Sequence, residues 1–440
     1  MSPGILALIM IVLVLAAILT KKVPMNFALF VIPVVCGLLL GFSVIDLGGI
    51  ILKQLGSIMQ SAGFLLLFGN IYFFMVNESG MFDIIINKLI SLFGKKMNVA
   101  IIMIMTTIIG MIGYLTANFS TVYLLCFPLM LPLYRKFKFN KGAAFIICQT
   151  ACGAVGFLPW GIGVIYTAAA SNLDPMELSK AAIPWGLCFI PVIVLQWFYF
   201  AYMHKKEYGS LGLTVSESGE AVAQHNDEKP HARPKLFWLN LVIFLAAMLA
   251  LTVLQYPGYL VFIMASIVMA MTNYPNNFGE IWNKTALMFL NVIIMLSAIS
   301  VYIAVFNAAP EGGISMINDL AKIMVGVVPS FLLKYVHIIF LLLCVIIIRF
   351  VPFQVFNAMY PLFISIGASF GIPALYVIAP FLCNLALATS VTPFNSATYV
   401  GCNLLQIDDV DGFIKMGIPI MVVSNLVVVF VAWVTGVLII

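Results

Sequence analysis

The sequence predicts an all-α polytopic membrane protein made of two similar halves, the second inverted relative to the first. Each half is read as five spans, one of them broken, plus one re-entrant hairpin. Three observations carry this prediction. At 63% hydrophobic and 8% charged residues, with mean hydropathy +1.14, the folded chain would expose more apolar surface than water tolerates, so lipid is its solvent. The apolar residues come in continuous runs, such as Ile5 to Leu19, Leu241 to Leu254 and Ile418 to Val434, where a membrane barrel would alternate apolar with polar. Finally, the chain repeats its landmarks. Pro159 and Pro393 lie 234 residues apart, as do Asp174 and Asp408; Pro184 and Pro419 follow at 235, and Glu78 and Gly80 recur at 233 as Glu311 and Gly313.

Taken in order, the spans are predicted at 4–20, 26–44, 58–76, 141–171 (broken), 183–203, 237–254, 257–271, 286–307, 373–407 (broken) and 416–438. No basic residue precedes the first apolar run and Lys21-Lys22 follow it, the pattern of a first span rather than a cleaved signal peptide. Asp46 to Ser57 and Asn276 to Lys284 read as interfacial amphipathic segments or plain loops. The stretches 98–134 and 325–368 are apolar but interrupted by polar residues at their middles, and each is read as a hairpin that enters and leaves on one side. Residues 1–204 thus form the first repeat and 236–440 the second, joined by a polar linker, 205–235, with Ser-Glu and Asp-Glu-Lys-Pro runs.

The basic residues test this topology. Sixteen of them, including Lys88, Arg135, Lys136, Lys205, Lys206, Lys235 and Lys415, fall on one side, against Lys53, Lys180, Lys322 and Lys334 on the other. That asymmetry makes the first side cytoplasmic, with both termini facing outward. Read as a single span, either hairpin would flip everything after it and spoil the asymmetry. Two halves of this kind, each with a helix broken at proline, are the mark of a secondary transporter whose site lies at mid-membrane.

The chemistry is expected at the interruptions. The first hairpin turns at Thr116-Ala117-Asn118-Phe119-Ser120-Thr121, where N–H groups at a helix start, aided by Asn118, Ser120 and Thr121, suit an anion. Ordinary capping of the turn is the plainer alternative. The second hairpin turns near Arg349 to Asn357 and contains Gln354. Arg349 follows the run Leu341 to Ile348, and no carboxylate lies in the apolar part of any span to pair with it. A guanidinium fork at membrane depth fits a substrate carboxylate, or else caps backbone carbonyls. In the first broken helix, Pro159 and the glycines at 153, 156, 161 and 163 free backbone groups for binding, with Trp160 as a substrate wall or an interfacial anchor. In the second, Ser390, Thr392, Asn395, Ser396 and Thr398 crowd around Pro393. The expected substrate set is Asn118, Ser120, Thr121, Trp160, Gly161, Arg349, Gln354, Asn357, Thr392, Asn395 and Ser396; the expected coupling-ion set is Ser120, Gly161, Gly163, Ser390, Thr392 and Asn395.

Other chemistries find no support. Cysteines 36, 126, 148, 152, 188, 344, 383 and 402 all lie in apolar stretches without CxxC or Cys/His clustering, so no metal and no cofactor is expected. Asp174, Asp408, Asp409 and Asp411 read as loop caps at the membrane surfaces. His204, His225 and His231 are cytoplasmic, and His337 lies early in the second hairpin. There is no Walker-type phosphate loop, HExxH or GxSxG, and no extramembrane segment large enough for an enzyme. The formal charge of +5 is scattered over short loops, which is no nucleic-acid footprint.

At these residues the chain resembles the ion transporter superfamily of secondary carriers. Thr116 to Pro132 resembles its first hairpin, and the two proline-broken loops resemble its paired binding loops. Leu158-Pro159-Trp160-Gly161, Ala168 to Pro175, Ile183-Pro184, Pro128 to Lys136, and Ser390 through Val400 look like the citrate–metal–proton symporter family. The resemblance covers nearly the whole chain and implies a homodimer in which a transport domain carries the hairpins past a fixed scaffold, an elevator. Where that family has Asp-Gly before the first tip, this chain has Thr116-Ala117. Arg349 sits where the gluconate permease family also has an arginine, which points toward simpler carboxylates. The reading is a symporter of a small organic anion, citrate or another di- or hydroxycarboxylate, coupled to H⁺ or Na⁺ in a bacterial-type inner membrane. The alternative is a Na⁺/H⁺ or other cation antiporter, which would need a buried Asp or Glu near the broken helices.

Overall fold

In a computed structural model, the chain is described apart from residues 1, 21–22, 94–96, 212–231, 253, 255, 328, 352 and 439–440. Most of the linker, with Lys229, His225 and His231, therefore lies outside the described residues, as do Lys21, Lys22, Lys95 and Lys96. Among those described, the fold is all-helical.

The first half runs α1 (Pro3–Leu19), α2 (Met25–Leu39), α3 (Val44–Ile58), α4 (Phe64–Glu78), α5 (Met81–Phe93), α6 (Val99–Tyr114), α7 (Phe119–Lys136), α8 (Lys141–Ala154), α9 (Ile162–Ser171), α10 (Pro175–Leu187) and α11 (Phe189–Tyr208). The second runs α12 (Phe237–Thr252), α13 (Gly258–Asn273), α14 (Phe278–Asn307), α15 (Met316–Val327), α16 (Ser330–Lys334), α17 (Val336–Phe350), α18 (Phe353–Asn357), α19 (Tyr360–Ser369), α20 (Ala374–Ala388), α21 (Ser396–Leu404) and α22 (Val410–Val434). Both broken helices are present. α8 and α9 are separated by 155–161, and α20 and α21 by a 3₁₀ turn at Thr389–Val391 and residues 392–395.

Three boundaries differ from the sequence reading, each for a local reason. Ser43 accepts from the Asp46 N–H, and Asp46 reaches back to the Ser43 N–H, a capping box that starts α3 at Val44. α3 then passes through a π turn, Met59–Gly63, into α4, so the amphipathic stretch 46–57 is continuous with the following apolar helix. Asn276 to Lys284 likewise leads into the 30-residue α14. Asp174 accepts from Met176 and Glu177 N–H groups, with Pro175 at the first helical position, so α10 starts at Pro175 rather than at 183.

Among the described residues, four helical stretches, Pro175–Tyr208, Pro234–Leu251, Ala374–Val391 and Val410–Val434, are long and apolar enough to cross a membrane. Leu39, Phe198, Trp238 and Met271 on the outer surface are each 70–73% exposed, which suits lipid rather than water. Inside, the helices form two groups, each drawn from both halves. In one, α13 packs on α4 and α14 on α2, while α1 lies along α15. In the other, α6, α7, α8, α10 and α11 pack with α17, α20, α21 and α22. Buried amides tie the second group together. Asn384 Nδ2 donates to Asn425 Oδ1 at 2.7 Å, Asn425 Nδ2 to the Leu341 carbonyl at 2.9 Å, and Gln196 Nε2 to Ser424 Oγ at 2.9 Å.

Candidate functional site

The site is a cavity of about 250 Å³ where the interrupted elements meet. The α6–α7 turn contributes Ala117, Asn118, Phe119 and Ser120; the first broken helix Gly156, Ile162, Gly163, Tyr166 and Thr167; the second Leu382, Ala386, Thr389, Thr392, Phe394, Asn395 and Ala397. Tyr114 and Phe353 complete the wall.

Each contributing turn is held by its own polar side chains. Asn118 caps α7, its Oδ1 accepting from the Ser120 N–H at 2.9 Å and the Thr121 N–H at 3.4 Å. Ala117 adopts left-handed backbone, φ 57°, to make the turn. Asn395 caps α21 by accepting from the Ala397 N–H at 3.1 Å, and its Nδ2 donates to the Thr389 carbonyl at 3.0 Å. Thr392 Oγ1 donates to the Ile348 carbonyl at 2.6 Å, which fastens the second break to the end of α17 beside Arg349. The two broken helices approach so closely that a Cβ on Gly156 would stand 2.9 Å from the Ala386 Cβ.

Three helices of nine or more residues, α7, α9 and α21, therefore begin at the cavity wall. Only α9 starts without a side-chain cap; at α7 and α21 the capping asparagines already hold the Ser120, Thr121 and Ala397 N–H groups, so these two helices offer the positive end of the dipole. Among the described residues, no Asp, Glu, Lys, Arg or His lines the cavity. An uncharged cavity at three helix N-termini can hold an anion.

Of the sequence-predicted residues, Asn118, Ser120, Gly163, Thr392 and Asn395 line the cavity. Gly161 is the residue before α9 and is buried behind the wall. Thr121 lies one position further into α7. Ser390 is fully buried with an unpartnered hydroxyl, and Asn357 is fully buried with neither amide atom partnered. Arg349, in the last turn of α17, does not line the cavity, but its Nη1 is buried without a hydrogen-bond partner. The side chains of Gln354 and Ser396 lie outside the described residues.

Trp160 lies elsewhere. It is 5% exposed, stacks on Phe73 at 5.3 Å, meets Phe262 edge-on at 5.5 Å, and donates from Nε1 to the Leu115 carbonyl at 2.9 Å. It is neither wall nor interfacial anchor; it pins the α6–α7 turn to the α8–α9 break. Sequence reasoning missed Thr167, Thr389, Gln149 and Tyr123. Gln149 Nε2 donates to Thr389 Oγ1 at 2.9 Å and also to the Ala386 carbonyl, while its Oε1 accepts from the Tyr123 hydroxyl. A lone amide inside the apolar run Phe145 to Ala154 was the available signal.

Over 330 residues the chain is 27% identical to the citrate transporter of Bacillus subtilis (strain 168), covering 74% of each chain. It is 26% identical over 335 residues to the Mg(2+)/citrate complex secondary transporter of the same organism, again 74% of each. To that organism's uncharacterized transporter YraO it is 24% identical over an alignment of 445 positions, 95% of each. No family model matches. All three relatives bear the names of transporters, not of enzymes.

Proposed function

We propose that this chain, a relative of the citrate transporters, is itself a secondary carrier of citrate or a closely similar di- or hydroxycarboxylate. The single observation that carries the reading is the convergence of α7, α9 and α21 N-termini on one uncharged cavity. Fixed N–H dipoles hold a multiply charged anion without a permanent counter-charge, so the anion can leave again. Arg349 is the reserve positive charge. Its unpartnered Nη1 and its position next to the Ile348 carbonyl that Thr392 holds make it the group a second carboxylate would recruit.

The transport cycle is an elevator in a homodimer, with the α6–α7 and α17–α19 elements and both broken helices moving past the α2–α4–α13–α14 group. The division of helices into two groups supports it. The carrier is a symporter in a bacterial-type inner membrane, driven by H⁺ or Na⁺, with both termini outward, as the basic-residue asymmetry supports.

The test is thermal stabilisation of the purified protein by a panel of carboxylates, each with Na⁺, with Mg²⁺ and at two pH values, with Arg349→Gln alongside. Citrate is expected to stabilise the fold by about 2.7 kcal/mol at a hundredfold excess over Kd, read as a rise in Tm, and Arg349→Gln to lose most of it. If no carboxylate moves a well-folded protein while Na⁺ or pH alone does, the cation antiporter replaces this reading.

A further inference from the structure

We infer that the cavity selects dicarboxylates with an apolar body, and that Ile162, Tyr166 and Phe353 form the strip that receives that body. The inference rests on the carrier reading above and narrows its substrate class. Ile162 and Tyr166 stand one turn apart on α9, and both line the cavity. Phe353, the first residue of α18, meets the Tyr166 ring at 6.5 Å and continues the strip. At the α6–α7 turn, Tyr114 and Phe119, with ring centroids 4.9 Å apart, add a second aromatic face, and Leu382 of α20 adds an aliphatic one. The strip starts at the first residue of α9, the helix whose N-terminus carries no side-chain cap. Negative charge therefore belongs at the start of α9, and hydrocarbon along the turn that follows.

The polar side chains of the wall are largely spent on the fold. Asn118 Oδ1 holds the Ser120 and Thr121 N–H groups, Asn395 holds the Ala397 N–H and the Thr389 carbonyl, and the Thr392 hydroxyl donates to the Ile348 carbonyl. Thr389 Oγ1 donates to the Ala386 carbonyl at 2.8 Å and accepts from Gln149. Thr167 turns its hydroxyl toward Tyr360. Among the described residues, what remains at the wall is the Ser120 hydroxyl, the Asn118 amide nitrogen, the phenols of Tyr114 and Tyr166 and the uncapped N–H groups of α9, with Arg349 in reserve. That set serves two carboxylates. A third carboxylate, or a hydroxyl, laid on the strip loses its water and faces hydrocarbon, at a cost that rises steeply with charge. An alkyl or aryl group in the same place exchanges water for rings, which is favourable. Citrate, with three carboxylates and a hydroxyl, is then a tolerated ligand rather than the best-matched one.

The experiment is a Tm titration of the purified full chain with malate, succinate, methylsuccinate, phenylsuccinate and citrate, each in excess chelator. Affinity is expected to rise in the order malate, succinate, methylsuccinate, phenylsuccinate, by at least tenfold from succinate to phenylsuccinate, since apolar groups matched to an apolar wall gain that much. Phenylsuccinate should also bind ahead of citrate. Phe353→Ala and Ile162→Thr are expected to lose most of the phenylsuccinate-to-succinate ratio. The ratio compares two ligands on one folded protein, so a general loss of stability cancels, and either variant suffices if the other fails to fold. A wild-type ratio in both folded variants overturns the strip. So does loss of the ratio in Tyr166→Phe, which would give the selection to the phenol hydroxyl. Malate or citrate binding more tightly than phenylsuccinate overturns the inference and leaves the carrier reading standing. Silence of every carboxylate on a well-folded protein sinks that reading, and the inference with it.

Discussion

Gln149 in α8 donates to Thr389 Oγ1 at 2.9 Å and so ties the first broken helix to the break in the second. The same amide holds the Ala386 carbonyl and accepts from Tyr123 of α7, so one side chain joins three elements around the cavity. Gln149→Leu removes all three bonds. Interhelical bonds in membrane proteins average about 0.6 kcal/mol each, so roughly 2 kcal/mol of stability should go. Binding should fall further than stability, because Thr389 lines the cavity. Citrate affinity measured on folded Gln149→Leu checks this, and an unchanged affinity would remove Gln149 from the site's support.

The tip before α7 is strained by its own composition. Ala117 sits at φ 57°, a region that costs an L-residue about 1–2 kcal/mol, and it is 6% exposed at the cavity wall. Glycine carries no such penalty but loses more entropy on folding, roughly 0.5–1 kcal/mol. Ala117→Gly should therefore raise stability by about 0.5 kcal/mol, and Ala117→Val, β-branched at positive φ, should lower it. Melting curves for the pair decide it. A stabilised valine variant would mean that the turn is not left-handed in the protein.

The two helix breaks were legible because their landmarks shape backbone locally. Asn172 and Gln406, 234 positions apart, both take left-handed backbone, at φ 55° and 56°. The residues after them donate back alike, Leu173 to the Ala168 carbonyl at 3.0 Å and Ile407 to the Cys402 carbonyl at 2.8 Å. Proline acts locally, so the breaks at Pro159 and Pro393 could be read off the chain. Trp160 could not be read that way, since an indole at a break suits a wall or an anchor until Phe73 and Phe262 are seen against it. Nor could the Gln149–Thr389 pairing, which depends on how two helices 240 residues apart are turned toward each other. The helix starts at Val44 and Phe278 were missed because amphipathic periodicity shows a change of surroundings, not an end of hydrogen bonding.

Two glycines of the first broken helix should separate binding from folding. A Cβ on Gly163 would meet nothing within 4 Å, since it would enter the cavity. Gly163→Leu should therefore leave Tm within a degree or two of wild type and weaken carboxylate binding at least tenfold. Gly156 faces Ala386 at 2.9 Å for the same added atom, so Gly156→Ala forces the broken helices apart, at about 1–3 kcal/mol. Melting and binding, measured on both variants, should move in opposite patterns. If Gly163→Leu binds citrate like wild type, the cavity is not the site.

The form in which the substrate arrives follows from what the cavity lacks. Among the described residues no carboxylate lines it, so a bound divalent cation would have no protein anion beside it and would face helix N-termini of the same sign. Free citrate meets those dipoles with its full negative charge; a citrate–Mg²⁺ complex has lost much of that charge. Citrate should thus stabilise the protein in excess chelator, and added Mg²⁺ should weaken the effect in proportion to the free citrate it removes. Calorimetric titrations at fixed total citrate across a Mg²⁺ series measure this directly. Tighter binding as Mg²⁺ rises would show that the complex is the substrate, and that its metal brings its own oxygen ligands into the cavity.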